Sequence, residues 1–245
     1  MTITAEALAP TKRVPVTALR KTAFAAGVFY IITFIASIPA LALYAPILDN
    51  PNYVLTTGTD TGVIFGGLLE VITGLAGIAT AVVLFPVLKR QNVGVALGLV
   101  TSRVVEAGII ILGVVSILSI VTLRQGMAGA TGATADSMVT TAKALVAMHD
   151  WTFLLGPGLM PGVNALLLGY LLYKSRLVPR VIPMMGLVGA PILIASGIAV
   201  MFGVYPQLSA WSALATVLIF AWEASVGIYL VVKGFKPSPI TADMR

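Results

Sequence analysis

The chain has 245 residues, of which 58% are hydrophobic and 10% are charged, and its mean hydropathy is +1.02. Soluble domains carry roughly 25% charged residues, so this composition excludes a soluble fold and indicates a membrane protein with several spans. Cys is absent and His149 is the single histidine, which excludes disulfides, Cys-ligated metals and a multi-histidine metal site within one chain, so no metal or cofactor is predicted.

Six apolar stretches predict an all-α fold, a polytopic bundle of six transmembrane helices near 23–43, 63–87, 94–120, 151–173, 181–204 and 211–232. A span needs about 20 residues, so six spans and their loops account for nearly all of the sequence. The first stretch is longer than the roughly 7–15 residues of a signal-peptide core, so we expect a retained first span. The sequence divides into an N-terminal tail, a six-helix transmembrane domain and a C-terminal tail, at 1–21, 22–233 and 234–245.

The basic residues are distributed unevenly between the two sides of these spans. All but three of the 15 Lys and Arg residues lie in the tails or in the loops after the second and fourth spans; the exceptions are Arg103, Arg124 and Lys143. The positive-inside rule therefore predicts cytoplasmic termini in a cell-membrane protein. Placement beside span ends also explains the net charge of +6 through contact with the lipid bilayer, so no nucleic-acid partner is predicted.

Four ionisable residues lie deep inside apolar stretches: Glu70, Arg103, Glu106 and Glu223. A charge at membrane depth costs at least a few kcal/mol, so such residues mark candidate functional sites. The helical rise predicts a similar depth for all four, between the outer half and the middle of the membrane. Arg103 and Glu106 are spaced i, i+3 and should form an ion pair.

The predicted pair leaves two carboxyls without a partner. We therefore expect at least one of Glu70 and Glu223 to carry a proton at neutral pH, or to be compensated by water or a cation. A carboxyl that exchanges a proton or accepts a cationic ligand is one interpretation. A neutral carboxylic acid that only joins two helices by a hydrogen bond is the other.

The fourth span carries two prolines and three glycines in GPGLMPG, before Asn164. Pro157 and Pro161 remove backbone donors and the glycines ease bending, so this helix is predicted to be kinked or locally unwound. Carbonyls freed there could line a cavity together with Asn164. Plain bending without any site is the alternative.

The loop before this span, 124–150, is predicted to include an amphipathic helix on the outer membrane surface, with Met138, Ala142, Leu145 and Met148 at helical spacing. It is either a lid or partner site, or a tether. His149, Asp150 and Trp151 follow. Interfacial anchoring explains Asp150 and Trp151 better than catalysis does, since nothing fixes a nucleophile such as Ser137 against His149.

Several segments carry a family resemblance: LFPVLKR, SRVVEAG, GPGLMPGVNALLLGYLLYKSRLVPR and GLVGAP. Together they resemble the bacterial membrane-protein family catalogued as domain of unknown function 4386, over roughly 22–233. The resemblance implies a multi-pass bacterial membrane protein of about this length. It brings no activity, so no functional residue is carried over from it.

Two functions fit these observations. The first is a small proton-coupled carrier or permease, with the three glutamates as protonation sites, Arg103 as internal counter-ion and Asn164 as a polar contact; a small molecule or proton would be its cargo. Six spans are few for a carrier, so a homodimer would complete it. The alternative is a non-transporting module, such as a sensor, assembly factor or subunit of a membrane partner, whose buried charges are structural. An intramembrane enzyme is disfavoured because no metal or nucleophile arrangement supports it.

Overall fold

The computed structural model describes residues 16–244. Seven α-helices follow one another: α1 (Val16–Leu48), α2 (Thr61–Leu88), α3 (Val93–Gly126), α4 (Ala133–Leu155), α5 (Met160–Ser175), α6 (Val181–Met201) and α7 (Ala210–Val232). Two short 3₁₀ helices, Tyr53–Leu55 and Pro239–Met244, lie outside them. No strand occurs within the described part, and most of the predicted tail 1–21 lies outside it.

The prediction of six spanning helices is confirmed. Helices α4 and α5 are two halves of one long apolar segment, Ala133–Ser175, and with the other five helices they make six segments long and apolar enough to cross a membrane. Their outer faces leave many large apolar side chains exposed, Ile35, Leu75, Leu97 and Val188 among them. Such continuous apolar surface is what lipid-facing helices present.

The helices form a closed ring around a central axis. Going around it, α1 packs against α2, α2 against α3, α3 against both α4 and α5, α5 against α6, α6 against α7, and α7 against α1. We call the end of the bundle that contains the loops 89–92 and 176–180 the terminal end, because residues 16 and 244 also lie there. The opposite end, with the connections at 49–60, 127–132 and 202–209, is the loop end.

A buried apolar core closes the terminal end. Its largest members are almost completely shielded from solvent and include Tyr30, Leu84, Leu88, Leu168, Leu172 and Trp222. The C-terminal segment lies across this end, since the amide of Lys236 donates to the carbonyl of Leu177 at 2.7 Å and the Ser238 hydroxyl donates to the carbonyl of Ser175. The bundle is therefore sealed at the terminal end.

A second core lies at the loop end, and here the structure differs from the prediction for 124–150. Helix α3 continues to Gly126 and α4 runs unbroken from Ala133 to Leu155. Met138 and Ala142 pack with Ile117 and Ile120 of α3, so the amphipathic face contacts protein. The reason is length: the 34 residues of α3 extend to roughly 51 Å, well beyond an apolar layer of about 30 Å, and its protruding turns need a cover.

Candidate functional site

Arg103 forms the centre of a buried polar cluster above the terminal core. Its Nη1 lies 2.9 Å from Glu106 Oε2, and its Nη2 lies 2.8 Å from Glu223 Oε1. The same Nη2 donates to the Tyr30 hydroxyl at 3.3 Å. Arg103 and Glu106 are 6% and 7% exposed, so both ion pairs are shielded from solvent. The predicted Arg103–Glu106 pair is confirmed, and Glu223 joins it.

Asn164 extends this cluster to α5. Its Nδ2 donates to Glu106 Oε2 at 2.9 Å, and its Oδ1 accepts from the Ser102 hydroxyl at 2.7 Å. Asn164 is completely buried behind Glu106 and does not line the central cavity described below, which was one of the two alternatives left open by the sequence. The network links α1, α3, α5 and α7 through polar side chains alone.

Two members of the cluster, Tyr30 and Ser102, were not identified from the sequence. Tyr30 is an aromatic residue with a hydroxyl in the middle of an apolar stretch, and Ser102 directly precedes Arg103. A buried tyrosine hydroxyl needs a hydrogen-bond partner, so Tyr30 could have been recognised as a polar group facing the bundle interior.

Glu70 lies apart from the cluster. At about 1.5 Å per residue from the terminal ends of their helices, Glu70 lies roughly 27 Å along α2 and Arg103 roughly 15 Å along α3. Within residues 16–244, Glu70 forms no hydrogen bond or ion pair. By this estimate of axial position, Glu70 lies nearer the loop end than Arg103, which bonds to Glu106 and Glu223. The common depth of all four residues stays a prediction.

A central cavity of about 330 Å³ joins Glu70 to the cluster. Arg103, Glu106 and Glu223 line the cavity together with Glu70. The remaining wall is mainly apolar and includes Phe34, Ile38, Phe153, Leu193 and Phe220. The volume falls within the range of small-molecule sites in proteins, about 300–1,000 Å³.

The break between α4 and α5 lies on this cavity. Helix α4 ends at Leu155 and α5 begins at Met160, and Pro157 and Pro161 both line the cavity. A Cβ atom on Gly158 would lie 2.6 Å from the carbonyl oxygen of Leu154, so the turn requires a glycine there. The predicted interruption of the helix is confirmed, and Pro161 occupies the first turn of α5, where proline is tolerated.

A second cavity, of about 640 Å³, adjoins the first and leads towards the loop end. The two cavities share Phe153, Pro157, Leu193, Thr216 and Phe220. Gln207, in the connection between α6 and α7, lines the second cavity, and its side-chain nitrogen is buried without a hydrogen-bond partner. The cavity beside the polar cluster thus shares part of its wall with a cavity that extends towards the loop end, and an apolar core lies on its terminal side.

On its loop side, Glu70 also faces a small cavity of about 20 Å³, bordered by Tyr44 and His149. That space is enough for a water molecule. The Tyr44 hydroxyl is buried without a partner, and the Tyr44 and His149 rings meet edge to face with centroids 5.7 Å apart. His149 is only 6% exposed, so its ring packs inside the bundle. The neighbouring Asp150 carboxylate is exposed and lies 3.4 Å from His149 Nδ1.

A buried ion pair at the loop end was not expected from the sequence, because Asp60 lies between the first two predicted spans and Arg124 lies in the predicted loop 124–150. Arg124 Nη1 lies 3.3 Å from Asp60 Oδ1, and Asp60 also accepts from the Tyr53 hydroxyl at 2.6 Å and from Gln125 at 2.8 Å. Burial, and then the hydrogen bond to Asp60, raise the pKa of Tyr53 to about 12. Arg124 follows Val121 by three residues, on the same buried helical face, and that spacing was the available signal.

The ring of apolar helices, the interrupted fourth span and the buried charges are typical of a multi-pass helical membrane protein. The family model described as Domain of unknown function (DUF4386) matches residues 25–234. The chain belongs to this family, in agreement with the resemblance found in its sequence. Comparison with curated proteins and with solved structures gives no match.

Proposed function

We propose that this protein is a small proton-coupled carrier of the bacterial cell membrane, with its substrate site in the central cavity. The observation that carries the proposal is the cavity of about 330 Å³ whose wall contains all four intramembrane ionisable residues. A purely structural cluster has no need of an adjoining cavity of this size. Ionisable groups at mid-depth that face a cavity beside a broken helix are the usual features of transporter sites.

The polar residues take distinct roles in this proposal. Glu70, Glu106 and Glu223 are the protonation sites, and Arg103 is the internal counter-ion that bonds to two of them. Protonation of Glu223 would weaken its 2.8 Å contact with Arg103 and so loosen α7 from α3. That link offers a way for proton binding to change the packing of the ring.

The two adjacent cavities and the apolar core at the terminal end support a conformation open towards the loop end. With both termini in the cytoplasm, as the distribution of Lys and Arg favours, the loop end is external. The carrier would then release or bind its substrate on the outer side in this conformation. A homodimer, or another membrane partner, would supply the additional surface that six spans lack.

Proton movement in proteoliposomes tests the proposal. Vesicles with an internal pH indicator should report a pH change when a transported ligand from a broad screen is added, and Glu223→Gln should abolish it while the protein stays folded. Asp136→Asn, at an exposed position in the first turn of α4, is the matched control and should behave like the wild type. A vesicle pH that stays constant across the screen for wild-type protein would overturn the carrier function.

The second candidate, a non-transporting module, is favoured by a different observation. The contacts of Arg103 with Glu106, Glu223 and Tyr30, and of Asn164 with Glu106, connect four helices through hydrogen bonds. A network of this kind is able to fix the positions of the helices without taking part in transport. In that case Glu223→Gln would lower stability and leave vesicle pH and cell behaviour unchanged.

A further inference from the structure

The central cavity contains acceptors for hydrogen bonds but few free donors. The hydroxyls of Thr33, Thr73 and Thr216, which all line it, donate to carbonyls of their own helices at 2.7–3.0 Å. Arg103, the cation of the wall, is bonded to Glu106, Glu223 and Tyr30. Apart from the Ser37 hydroxyl, which lines the cavity without a hydrogen bond among the described residues, an anionic ligand would therefore find its natural donors already engaged.

The carboxylates of the wall differ in their bonding. Glu106 accepts from Arg103 and Asn164, and Glu223 accepts from Arg103. Glu70 lies at the other side of the same cavity without any such contact among the described residues. Its uncompensated charge would be costly in an apolar environment, so Glu70 needs a proton or a positively charged ligand.

The rest of the wall suits the body of such a ligand. Phe153 and Phe220 line both of the adjacent cavities, and Phe220 meets Phe34 edge to face with centroids 4.9 Å apart. The faces of aromatic rings attract ammonium groups, and the surrounding aliphatic side chains favour an apolar substituent.

We propose that the central cavity binds a small organic cation, an ammonium group attached to an apolar or aromatic body, with the positive charge at Glu70 and the body between Phe34, Phe153 and Phe220. The inference that this cation is transported rests on the proposed carrier function, whereas the inference that it binds in the cavity does not. Protons and the cation would compete for the Glu70 carboxyl. Tyr44 of α1 and His149 of α4 border the small cavity next to Glu70. The charged groups across the central cavity are Arg103, Glu106 and Glu223.

Binding of radiolabelled benzyltrimethylammonium to the full chain in nanodiscs tests the inference. The wild-type protein should bind it saturably, and unlabelled benzyltrimethylammonium should displace it, whereas phenylacetate, an anion of similar size, should not. Glu70→Gln should weaken binding at least about tenfold, the effect of losing one ion pair of about 1.4 kcal/mol. Asp136→Asn, far from the cavity, should bind as the wild type does.

A second measurement keeps the test independent of how the variant folds. Carbodiimide modification of Glu70 in wild-type protein, followed by mass spectrometry, should decrease when benzyltrimethylammonium is present. Absence of saturable binding, displacement by phenylacetate, or binding that leaves Glu70 modification unchanged would each overturn the inference. Binding without proton movement would overturn only the carrier function, and proton movement with other ligands but no ammonium binding would overturn only the inference.

Discussion

Arg103 is held by more partners than any other side chain in the cluster, and its removal leaves two carboxylates without a counter-ion. Glu106 and Glu223 approach it from the same helix and from α7, at 2.9 and 2.8 Å. Desolvated ions are costly when they lose a partner, although the intact pair contributes little net stability. A variant that removes Arg103 alone and a variant that also removes the charges of Glu106 and Glu223 should therefore differ strongly in their free energy of unfolding.

We expect Arg103→Ala to lower the free energy of unfolding by about 3–5 kcal/mol, because it strands two buried negative charges. The triple variant Arg103→Ala, Glu106→Gln, Glu223→Gln removes those charges as well and should recover much of the loss. Thermal unfolding in detergent, with yield as a second readout, measures both. If the single and triple variants are equally destabilised, the three residues do not stabilise one another.

Among the helices, the contact between α1 and α7 depends on two glycines near the terminal end. A Cβ atom on Gly27 would lie 2.6 Å from the carbonyl oxygen of Gly227, and one on Gly227 would lie 2.9 Å from Cβ of Tyr30. Tyr30 in turn bonds to Arg103. The close approach of these two helices therefore positions one member of the polar cluster.

Gly27→Ala should destabilise the protein by about 1–3 kcal/mol, since an added methyl group has to push α1 away from the α7 backbone. Gly108→Ala is the control, because a Cβ there meets no atom within 4 Å. In a helix interior alanine is favoured over glycine by about 1 kcal/mol, so the control should be neutral or stabilising. Equal changes in the melting temperatures of the two variants, relative to the wild type, would contradict the proposed contact.

At the scale of the whole molecule, the polar site lies between two apolar cores and is closed at one end only. The terminal core and the C-terminal segment, held by Lys236 and Ser238, block access from that side. The adjoining cavities lead to the loop end. Which side of the membrane the open end faces therefore decides the direction of access to Glu70 and Arg103.

Labelling of single cysteines in this Cys-free chain determines that orientation. We expect Thr131→Cys, in the exposed connection between α3 and α4, to react with a membrane-impermeant maleimide added to intact cells, and Lys236→Cys to react only after the membrane is opened. Lys236 is suitable because its side chain is exposed, whereas nearby Ser238 is buried. The reverse labelling pattern would place the termini outside.

The sequence by itself determined the features that depend on local chemistry. Six spans follow from six apolar stretches, the Arg103–Glu106 contact from i, i+3 spacing on one helix, and the break after Leu155 from Pro157 and two glycines. Each of these arises among residues within a few turns of one another, where helical geometry leaves little freedom.

Only the tertiary structure decided which distant groups meet. It joined Glu223 to Arg103 and Asn164 to Glu106, left Glu70 apart from them on the wall of the cavity, and placed Asp60 against Arg124. These contacts depend on the rotation and the axial offset of neighbouring helices. Both are set by side-chain packing between helices far apart in sequence, and a small shift along one helix axis separates a hydrogen-bonded pair.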